Sequence, residues 1–195
     1  MMEHEQPVER ESATPEAAET ARRPSVLGEL RGWARDLFFA VTGAVIIVVF
    51  FYQPVKVEGT SMLPELVDQE RIFVNKFLYR IDSVEAGDIV VFWYPLDRSK
   101  SYIKRVVGVP GDLVEIRRGE VFVNNERLDE AYVPEAFLGR RSYAPLTVEP
   151  DHYYVLGDHR NQSNDSRMWG LVPRENIYGK AVFRYWPVNK MGAID

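Results

Sequence analysis

Two residues of this chain, Ser61 and Lys104, have the types and surroundings needed for acyl-transfer chemistry. Ser61 lies on a small-residue turn within residues 58–64, and Lys104 interrupts the apolar run Tyr102–Val109. A serine hydroxyl activated by a lysine amine is one form of nucleophilic catalysis. Few alternatives exist, because the chain contains no cysteine. The histidines offer no convincing Ser-His-Asp set: His4, His152 and His159.

A lysine can act as the base only in its neutral form, which requires a lowered pKa. The ordinary lysine pKa is about 10.4, and burial in apolar surroundings lowers it by as much as about 3–5 pH units. The alternation of a β-strand places Tyr102, Lys104 and Val106 on one face. Lys104 thus has an aromatic and an aliphatic neighbour. Arg105 points to the other face and needs a separate acidic partner.

Taken alone, each of these two residues has an ordinary explanation. A serine before a methionine is common, and a lone strand lysine is usually an exposed edge residue. A polar loop at residues 157–170 favours the catalytic interpretation, because its side chains suit a network that holds a serine–lysine pair. A solvated turn is the alternative. In such a network Asp158 and Asp165 can pair with Arg105, Arg160 or Arg167.

The composition limits the domain count and the classes of partner. At 195 residues, with 46% apolar and 12% aromatic residues, the chain can form one domain or one domain with a small subdomain. A net charge of -5 without a basic stripe argues against nucleic acid as a partner. The absence of cysteine excludes disulfides and cysteine-based metal sites. We expect neither a metal nor a cofactor.

An arginine-flanked apolar run near the N-terminus predicts a membrane anchor. Residues 1–24 lack apolar periodicity, so we expect residues 1–33 to form a disordered cytoplasmic tail. The uncharged run Leu37–Tyr52, extended towards the N-terminus, predicts one transmembrane helix over residues 34–52. The arginines precede this run, which places the N-terminus in the cytoplasm and the C-terminal domain on the outer face. They are Arg22, Arg23, Arg31 and Arg35.

Two other interpretations of the apolar run are less consistent with its flanking residues. A cleavable signal peptide starts nearer the N-terminus and is followed by small residues, whereas residues 53–56 read Gln-Pro-Val-Lys. A buried core helix suits shorter apolar runs, but the flanking arginines and aromatic residues favour the anchor.

After Gln53, short strands alternate with turn residues, which predicts a mainly β domain over residues 53–190. We expect an antiparallel-sheet catalytic domain in sandwich or barrel form. Residues 53–112 and 152–190 form its main lobe, residues 113–151 a smaller inserted β lobe, and residues 191–195 a tail. The predicted strands are Pro54–Val57, Arg71–Lys76, Ile89–Tyr94, Tyr102–Val109, Leu113–Ile116, Val121–Val123, Tyr153–Leu156 and Ala181–Tyr185, with a turn at Asn124-Asn125.

Five elements in order resemble the bacterial type I signal peptidases, the membrane-bound leader peptidase family of Ser-Lys proteases. The resemblance covers about residues 36–188. Each element alone is weak, but five in family order are highly specific. After the anchor they are Ser61-Met62-Leu63-Pro64, Gly87–Phe92, Tyr102–Gly108 with Pro110-Gly111-Asp112, and Gly157–Gly170.

The resemblance implies a function and a role for each site residue. It implies a membrane-bound serine endopeptidase that removes signal peptides from exported preproteins, cleaving after small residues in an Ala-x-Ala sequence. Ser61 is then the nucleophile and Lys104 the general base. Ser163 is expected to hydrogen-bond the Lys104 amine, Asp158 to pair with Arg105, and Asp165 with Arg167 to brace the loop.

The resemblance also implies where the substrate and the membrane lie. The substrate binds as an added strand between Val55–Gly59 and Tyr102–Lys104, with main-chain hydrogen bonds giving affinity. Its expected contacts are Val55, Val57, Gly59, Met62, Tyr102 and Ile103. The implied partners are signal peptides and the lipid bilayer, and the implied location is the outer face of the bacterial cytoplasmic (inner) membrane.

The chain departs from the family pattern at Gly59 and in its single predicted span. Some members carry a serine two positions before the nucleophile, where its hydroxyl helps form the oxyanion hole. We expect the hole here to use the Ser61 N–H and a second donor, and Gly59→Ser to be tolerated. Two rival functions are a self-cleaving Ser-Lys protein of phage-repressor type, which the anchor disfavours, and an anchored β-domain that binds peptides without cutting them.

Overall fold

The computed structural model describes residues 26–194, apart from the side chains of residues 26–28 and 48–50. The expected disordered segment of residues 1–24 therefore lies outside the described residues, as does Asp195. The described residues divide into two compact units, the first ending at Thr42 and the second beginning at Gly43. All described strands belong to the second unit.

The N-terminal helix α1 runs from Val26 to Phe51. It begins earlier than the predicted anchor, so residues 26–33, expected in the tail, are helical instead. Glu29, Leu30, Arg31 and Ala34 are good helix formers, which explains the early start. None of the helices among the described residues is long and apolar enough to cross a membrane. The large apolar side chains that α1 exposes are Leu30, Trp33, Leu37, Phe38, Phe39, Val41, Val45, Ile46 and Ile47.

Beyond α1 the described chain is mainly antiparallel β-structure, as the alternating apolar pattern predicted. Two short helices, α2 (Leu78–Ile81) and α3 (Ser166–Trp169), interrupt it. Single 3-10 turns occur at Glu135–Phe137, Arg160–Gln162, Arg174–Asn176 and Val188–Lys190. In chain order the strands are β1 Tyr52–Lys56, β2 Arg71–Asn75, β3 Ile89–Tyr94, β4 Asp97–Gly108, β5 Leu113–Arg117, β6 Glu120–Val123, β7 Glu126–Arg127, β8 Tyr143–Thr147, β9 His152–Leu156, β10 Val172–Pro173, β11 Ile177–Trp186 and β12 Gly192–Ala193.

These strands form two sheets. The larger sheet has the order β1-β2-β11-β3-β4-β9-β10, with β12 paired to β11. The smaller sheet has the order β7-β6-β5-β8, and its strands all fall within residues 113–147. The predicted turn at Asn124-Asn125 is present between β6 and β7, where both residues have positive φ values of 52° and 68°.

The hydrophobic core of the larger sheet reaches the segment that carries Ser61. Met62, the next residue, is 2% exposed and packs in one cluster with Val57, Ile72 and Val91. Burial of a Met side chain of this kind contributes about 1.5–3 kcal/mol. The residue after the proposed nucleophile therefore ties the turn to the sheet.

The structure differs from the expected strand pattern at the C-terminus and in β4. Residues 191–195 were expected to be a tail, but β12 pairs with β11 and Ile194 is buried in the same core cluster as Met62. A two-residue strand is too short to show alternation, which is why the pattern missed it. Strand β4 begins at Asp97, which faces Tyr94 across a tight turn.

Candidate active site

Ser61 lies in the segment that joins β1 to β2. The Val57 N–H donates to Glu70 O at 2.8 Å, which closes this segment into a compact loop. Because the Met62 side chain is anchored in the core, the turn that presents the Ser61 hydroxyl is held at both ends. The small residues before Ser61, Gly59 and Thr60, allow the chain to turn tightly here.

The Lys104 side chain reaches Ser61 from β4. Lys104 Nζ lies 2.8 Å from Ser61 Oγ, and it donates a hydrogen bond to Ile103 O at 2.9 Å. Lys104 is 4% exposed. This burial lowers the pKa of Lys104 to about 8, against the smaller opposing effect of Asp165 and Asp158. The amine is therefore neutral in a large fraction of molecules near pH 8 and can accept a proton.

Ser163 lies beside the nucleophile turn, but its expected hydrogen bond to the Lys104 amine is not formed. Ser163 Oγ is buried and has no hydrogen-bond partner among the described residues. A Cβ built on Gly157 would lie 2.2 Å from Ser163 Oγ and 2.4 Å from Ser61 O. Gly157 therefore lets the loop approach the backbone of Ser61, since a side chain at this position would collide with it.

Arg105 and Asp158 form a buried ion pair behind the site, as the resemblance led us to expect. Arg105 Nε lies 3.0 Å from Asp158 Oδ1, and Nη2 lies 2.9 Å from Oδ2. The two side chains are 5% and 0% exposed. Arg105 also donates to Gly87 O at 3.0 Å and lies over the Tyr132 ring. This fork-like geometry ties the polar loop to β4.

Asp165 and Arg167 form a second pair within the loop. Arg167 Nε and Nη2 each lie 2.7 Å from the Asp165 carboxylate. The same carboxylate accepts from the Gly157 N–H at 3.1 Å and caps α3. Arg160, the other cation that the sequence offered, pairs instead with Glu130 at 2.5 Å. The loop is thus a connected polar network rather than a solvated turn.

A cleft of about 490 Å³ opens beside Ser61 and Lys104. The apolar side chains of Met62 and Val91 form its floor, and both are almost completely buried. The structure brings together in this cleft all of the predicted substrate contacts: Val55, Val57, Gly59, Met62, Tyr102 and Ile103. The Tyr102 ring centroid lies 5.4 Å from Lys104 Nζ, as the strand alternation predicted.

Several residues of the site were missed by sequence reasoning. Val91 and Asn164 also line the cleft, but Val91 sits in a continuously buried strand segment that gives no signal of which face meets the substrate. Ser166 Oγ accepts from the Val155 N–H at 3.0 Å and joins the loop to β9. His159 contacts the backbone of the nucleophile turn. Within residues 26–194, no cluster of His, Asp and Glu side chains could hold a metal ion.

The expectation that Gly59→Ser is tolerated is not supported by the backbone of Gly59. Gly59 has a φ of 92°, a conformation that side-chain-bearing residues rarely adopt. A Cβ at this position would meet no atom within 4 Å. The obstacle to a serine is therefore backbone strain, not lack of space.

Several proteins similar to this chain are signal peptidases. The family model for signal peptidase, peptidase S26, matches residues 30–186. A probable signal peptidase I-2 of Synechocystis sp. is 41% identical over 168 residues, which cover 82% of this chain and 75% of the relative. The signal peptidase I of Leptolyngbya laminosa is 36% identical over 191 residues, covering 93% and 92%. That of Bacillus amyloliquefaciens is 33% identical over 185 residues, covering 90% and 96%.

A solved structure is similar in sequence over a smaller share of the chain. The crystal structure of a signal peptidase I from Enterococcus faecalis V583 is 28% identical, with a TM-score of 0.46, over 51% of this chain and 97% of that one. The chain belongs to the signal peptidase family, peptidase S26, and is a serine endopeptidase of the signal peptidase I type that removes signal peptides.

Proposed function

We propose that this signal peptidase cleaves preproteins after small residues in an Ala-x-Ala sequence, with Ser61 as nucleophile and Lys104 as general base. The observation that carries the proposal is the 2.8 Å separation of Lys104 Nζ from Ser61 Oγ. This distance allows direct proton transfer. The lowered pKa of about 8 for the buried Lys104 supplies the neutral amine that the transfer needs.

The reaction follows the two steps of serine acyl transfer. The Lys104 amine takes the proton of the Ser61 hydroxyl while Oγ bonds to the scissile carbonyl carbon. The Ser61 N–H is the proposed donor to the resulting oxyanion. When the intermediate collapses, the C–N bond breaks and the Lys104 ammonium protonates the leaving amine. A water molecule, deprotonated by Lys104, then hydrolyses the ester and regenerates Ser61.

The polar loop of residues 157–170 is proposed to hold this pair in place. The Arg105–Asp158 and Asp165–Arg167 pairs fix the loop at two points and leave little freedom around Lys104. Ser163 is proposed to orient the Lys104 amine. Its Oγ is buried and has no hydrogen-bond partner among the described residues, which leaves the hydroxyl available for this role.

The substrate is proposed to bind as an added strand between β1 and β4. Strand β1 is the edge of the larger sheet. Strand β4 pairs with β9 only from Arg105 onward, so the described ladder leaves one edge of Ser101–Lys104 unpaired. Both edges border the cleft and offer main-chain donors and acceptors to an extended peptide. The apolar floor beside Ser61 suits a small side chain such as Ala.

We further propose that the apolar run of residues 34–52, whose residues 48–50 have side chains outside the described part, anchors the enzyme in the bacterial cytoplasmic membrane with one span and the catalytic domain on the outer face. The support for this proposal is the row of exposed apolar side chains on α1, which mark contact with lipid or another apolar surface. Arg31 and Arg35, on the N-terminal part of the helix, favour a cytoplasmic N-terminus. Membrane fractionation and protease treatment of spheroplasts test this arrangement, since protection of the β-domain would reverse it.

The central experiment is cleavage of a preprotein whose signal sequence ends in Ala-x-Ala. Purified full-length protein in detergent should release a mature chain whose new N-terminus, read by sequencing, follows the second Ala. The Ser61→Ala variant should release none. Cleavage at another position would contradict the proposed specificity, and cleavage by Ser61→Ala would contradict the proposed nucleophile.

A further inference from the structure

His159 holds the backbone on both sides of Ser61. Its backbone N–H donates to Ser61 O at 3.1 Å. Its ring nitrogen Nδ1 lies 3.1 Å from Thr60 O. His159 is 7% exposed. One buried residue therefore fixes the two consecutive carbonyl groups that flank the Cα atom of Ser61.

The bond to Thr60 O also sets the direction of the Ser61 N–H. The Thr60 carbonyl and the Ser61 N–H belong to one planar peptide unit, in which the C=O and N–H point in opposite directions. This peptide is trans, since the cis bonds of the described chain lie elsewhere. The Ser61 N–H donates to no other described group, so it is free to bind an oxyanion. Holding Thr60 O in place therefore aims the Ser61 N–H.

The chemistry of the contact determines which form of the His159 ring makes it. A carbonyl oxygen only accepts, so Nδ1 must carry the hydrogen. The neutral ring with hydrogen on Nδ1 and the charged ring both satisfy this condition. Thr60 O accepts a second hydrogen bond from the Leu63 N–H at 3.2 Å. Donors on the carbonyl polarise the peptide and strengthen its N–H as a donor.

The His159 ring is itself held by the segment that forms the smaller sheet. The Phe137 ring lies against it, with centroids 4.2 Å apart and planes tilted by 40°. Asn161 Nδ2 donates to Ala136 O at 3.1 Å and joins the same two segments. The 3-10 turn Glu135–Phe137 thus forms a wall that keeps the ring against the nucleophile turn.

We propose that His159 is a positioning residue that aims the Ser61 N–H at the oxyanion of the tetrahedral intermediate. This inference rests on the proposed role of Ser61. The oxyanion exists only in the intermediate and the transition states around it, so His159 acts on kcat and leaves KM nearly unchanged. The Phe137 wall connects the inserted segment to catalysis.

The test compares His159→Leu, which removes the donor, with His159→Asn, whose amide nitrogen can take the place of Nδ1. Complete loss of one oxyanion donor costs about 10²–10³ in rate. In His159→Leu the Ser61 N–H is retained but less well directed, so we expect kcat to fall by about 10–10²-fold. His159→Asn should recover most of that loss. The matched control is His152→Leu, because His152 Nδ1 also lies 2.8 Å from a backbone carbonyl, that of Pro150, outside the candidate site.

The outcomes separate this inference from the proposed function. If Ser61→Ala retains activity, the proposed nucleophile fails. If Ser61→Ala is inactive but folded His159→Leu keeps the wild-type kcat, or changes KM alone, the positioning role is overturned. Should circular dichroism show His159→Leu to be unfolded, His159→Asn and His159→Gln decide, because the Gln amide reaches further along the ring towards Nε2. Equal kcat values for these two variants would contradict a bond made by Nδ1.

Discussion

Lys104 Nζ meets Ser61 Oγ at 2.8 Å, although the two residues stand 43 positions apart in the chain. The contact joins the loop after β1 to the middle of β4. On the serine side the packing is close, because a Cβ at Gly157 would lie 2.4 Å from Ser61 O. This contact and the burial of Lys104 lead to the first three predictions.

Ser61→Ala and Lys104→Met should each lower kcat/KM by more than about 10³-fold, because both residues serve one proton transfer. For the same reason the double variant should be no less active than either single variant. Lys100→Met is the matched control, since Lys100 lies on the same strand but is exposed and pairs with Asp97. Substantial activity in folded Lys104→Met, measured with a preprotein substrate, would remove Lys104 as the base.

The rate of cleavage should rise with pH through a midpoint near 8. Burial lowers the pKa of Lys104 to about 8, and only the neutral amine above this pH accepts the serine proton. At lower pH the protonated amine cannot act as a base, so activity declines. A pH profile of kcat on the purified enzyme measures this midpoint. A midpoint near the ordinary lysine pKa of about 10.4 would contradict a buried base.

Lys104→Met should stabilise the fold at neutral pH, and this gain should shrink as pH rises from about 8 to about 10.5. In that window the unfolded chain binds more protons at residue 104 than the folded chain, so wild-type stability increases with pH relative to the variant. The total change is about 3 kcal/mol, at about 1.36 kcal/mol per pH unit. Urea unfolding of both proteins at pH 7, 9 and 10.5 tests it. A difference that does not vary with pH would contradict the lowered pKa.

The sequence predicted most of the residues discussed in the cleft, but it missed Val91 and Asn164 and did not give the detailed contacts. Lys104 and the six substrate contacts, which include Tyr102, follow from strand alternation and from the resemblance of the ordered motifs to a family. Ser163 could not be placed, because the direction of its hydroxyl depends on packing against Gly157. The role of His159 depends on how one loop folds over another, which residue types alone do not encode. Family membership disfavours the self-cleaving repressor, and a turnover assay with a preprotein separates the enzyme from a peptide-binding domain without hydrolysis.

Asp158→Ala should destabilise the fold by about 3–5 kcal/mol, the usual effect of removing one partner of a buried ion pair. Arg105 and Asp158 are 5% and 0% exposed and make two parallel hydrogen bonds. The matched control is Glu120→Ala, which breaks the exposed Arg127–Glu120 pair and should cost less than about 1 kcal/mol. The free energy of unfolding in urea measures both. Equal effects of the two variants would show that burial of the pair has no energetic consequence.

Gly59→Ser should lower cleavage activity, and Gly59→Ala should lower it by a similar factor. Both carry a Cβ at a backbone φ of 92°, and a strained backbone of this kind costs about 1–3 kcal/mol. A change in φ that relieves this strain would move the turn carrying Ser61, whereas a Cβ at Gly59 meets no protein atom within 4 Å when the cleft is empty. Gly192→Ala is the control, since Gly192 is equally open but does not share the positive φ.

Kinetics of the three Gly variants on one preprotein decide between two explanations. If Gly59→Ser exceeds Gly59→Ala by 10-fold or more, about 1.4 kcal/mol, the serine hydroxyl assists the oxyanion and outweighs the strain. If the two are alike and both fall well below Gly192→Ala, the glycine is required for its backbone, and the oxyanion hole depends on main-chain donors such as the Ser61 N–H.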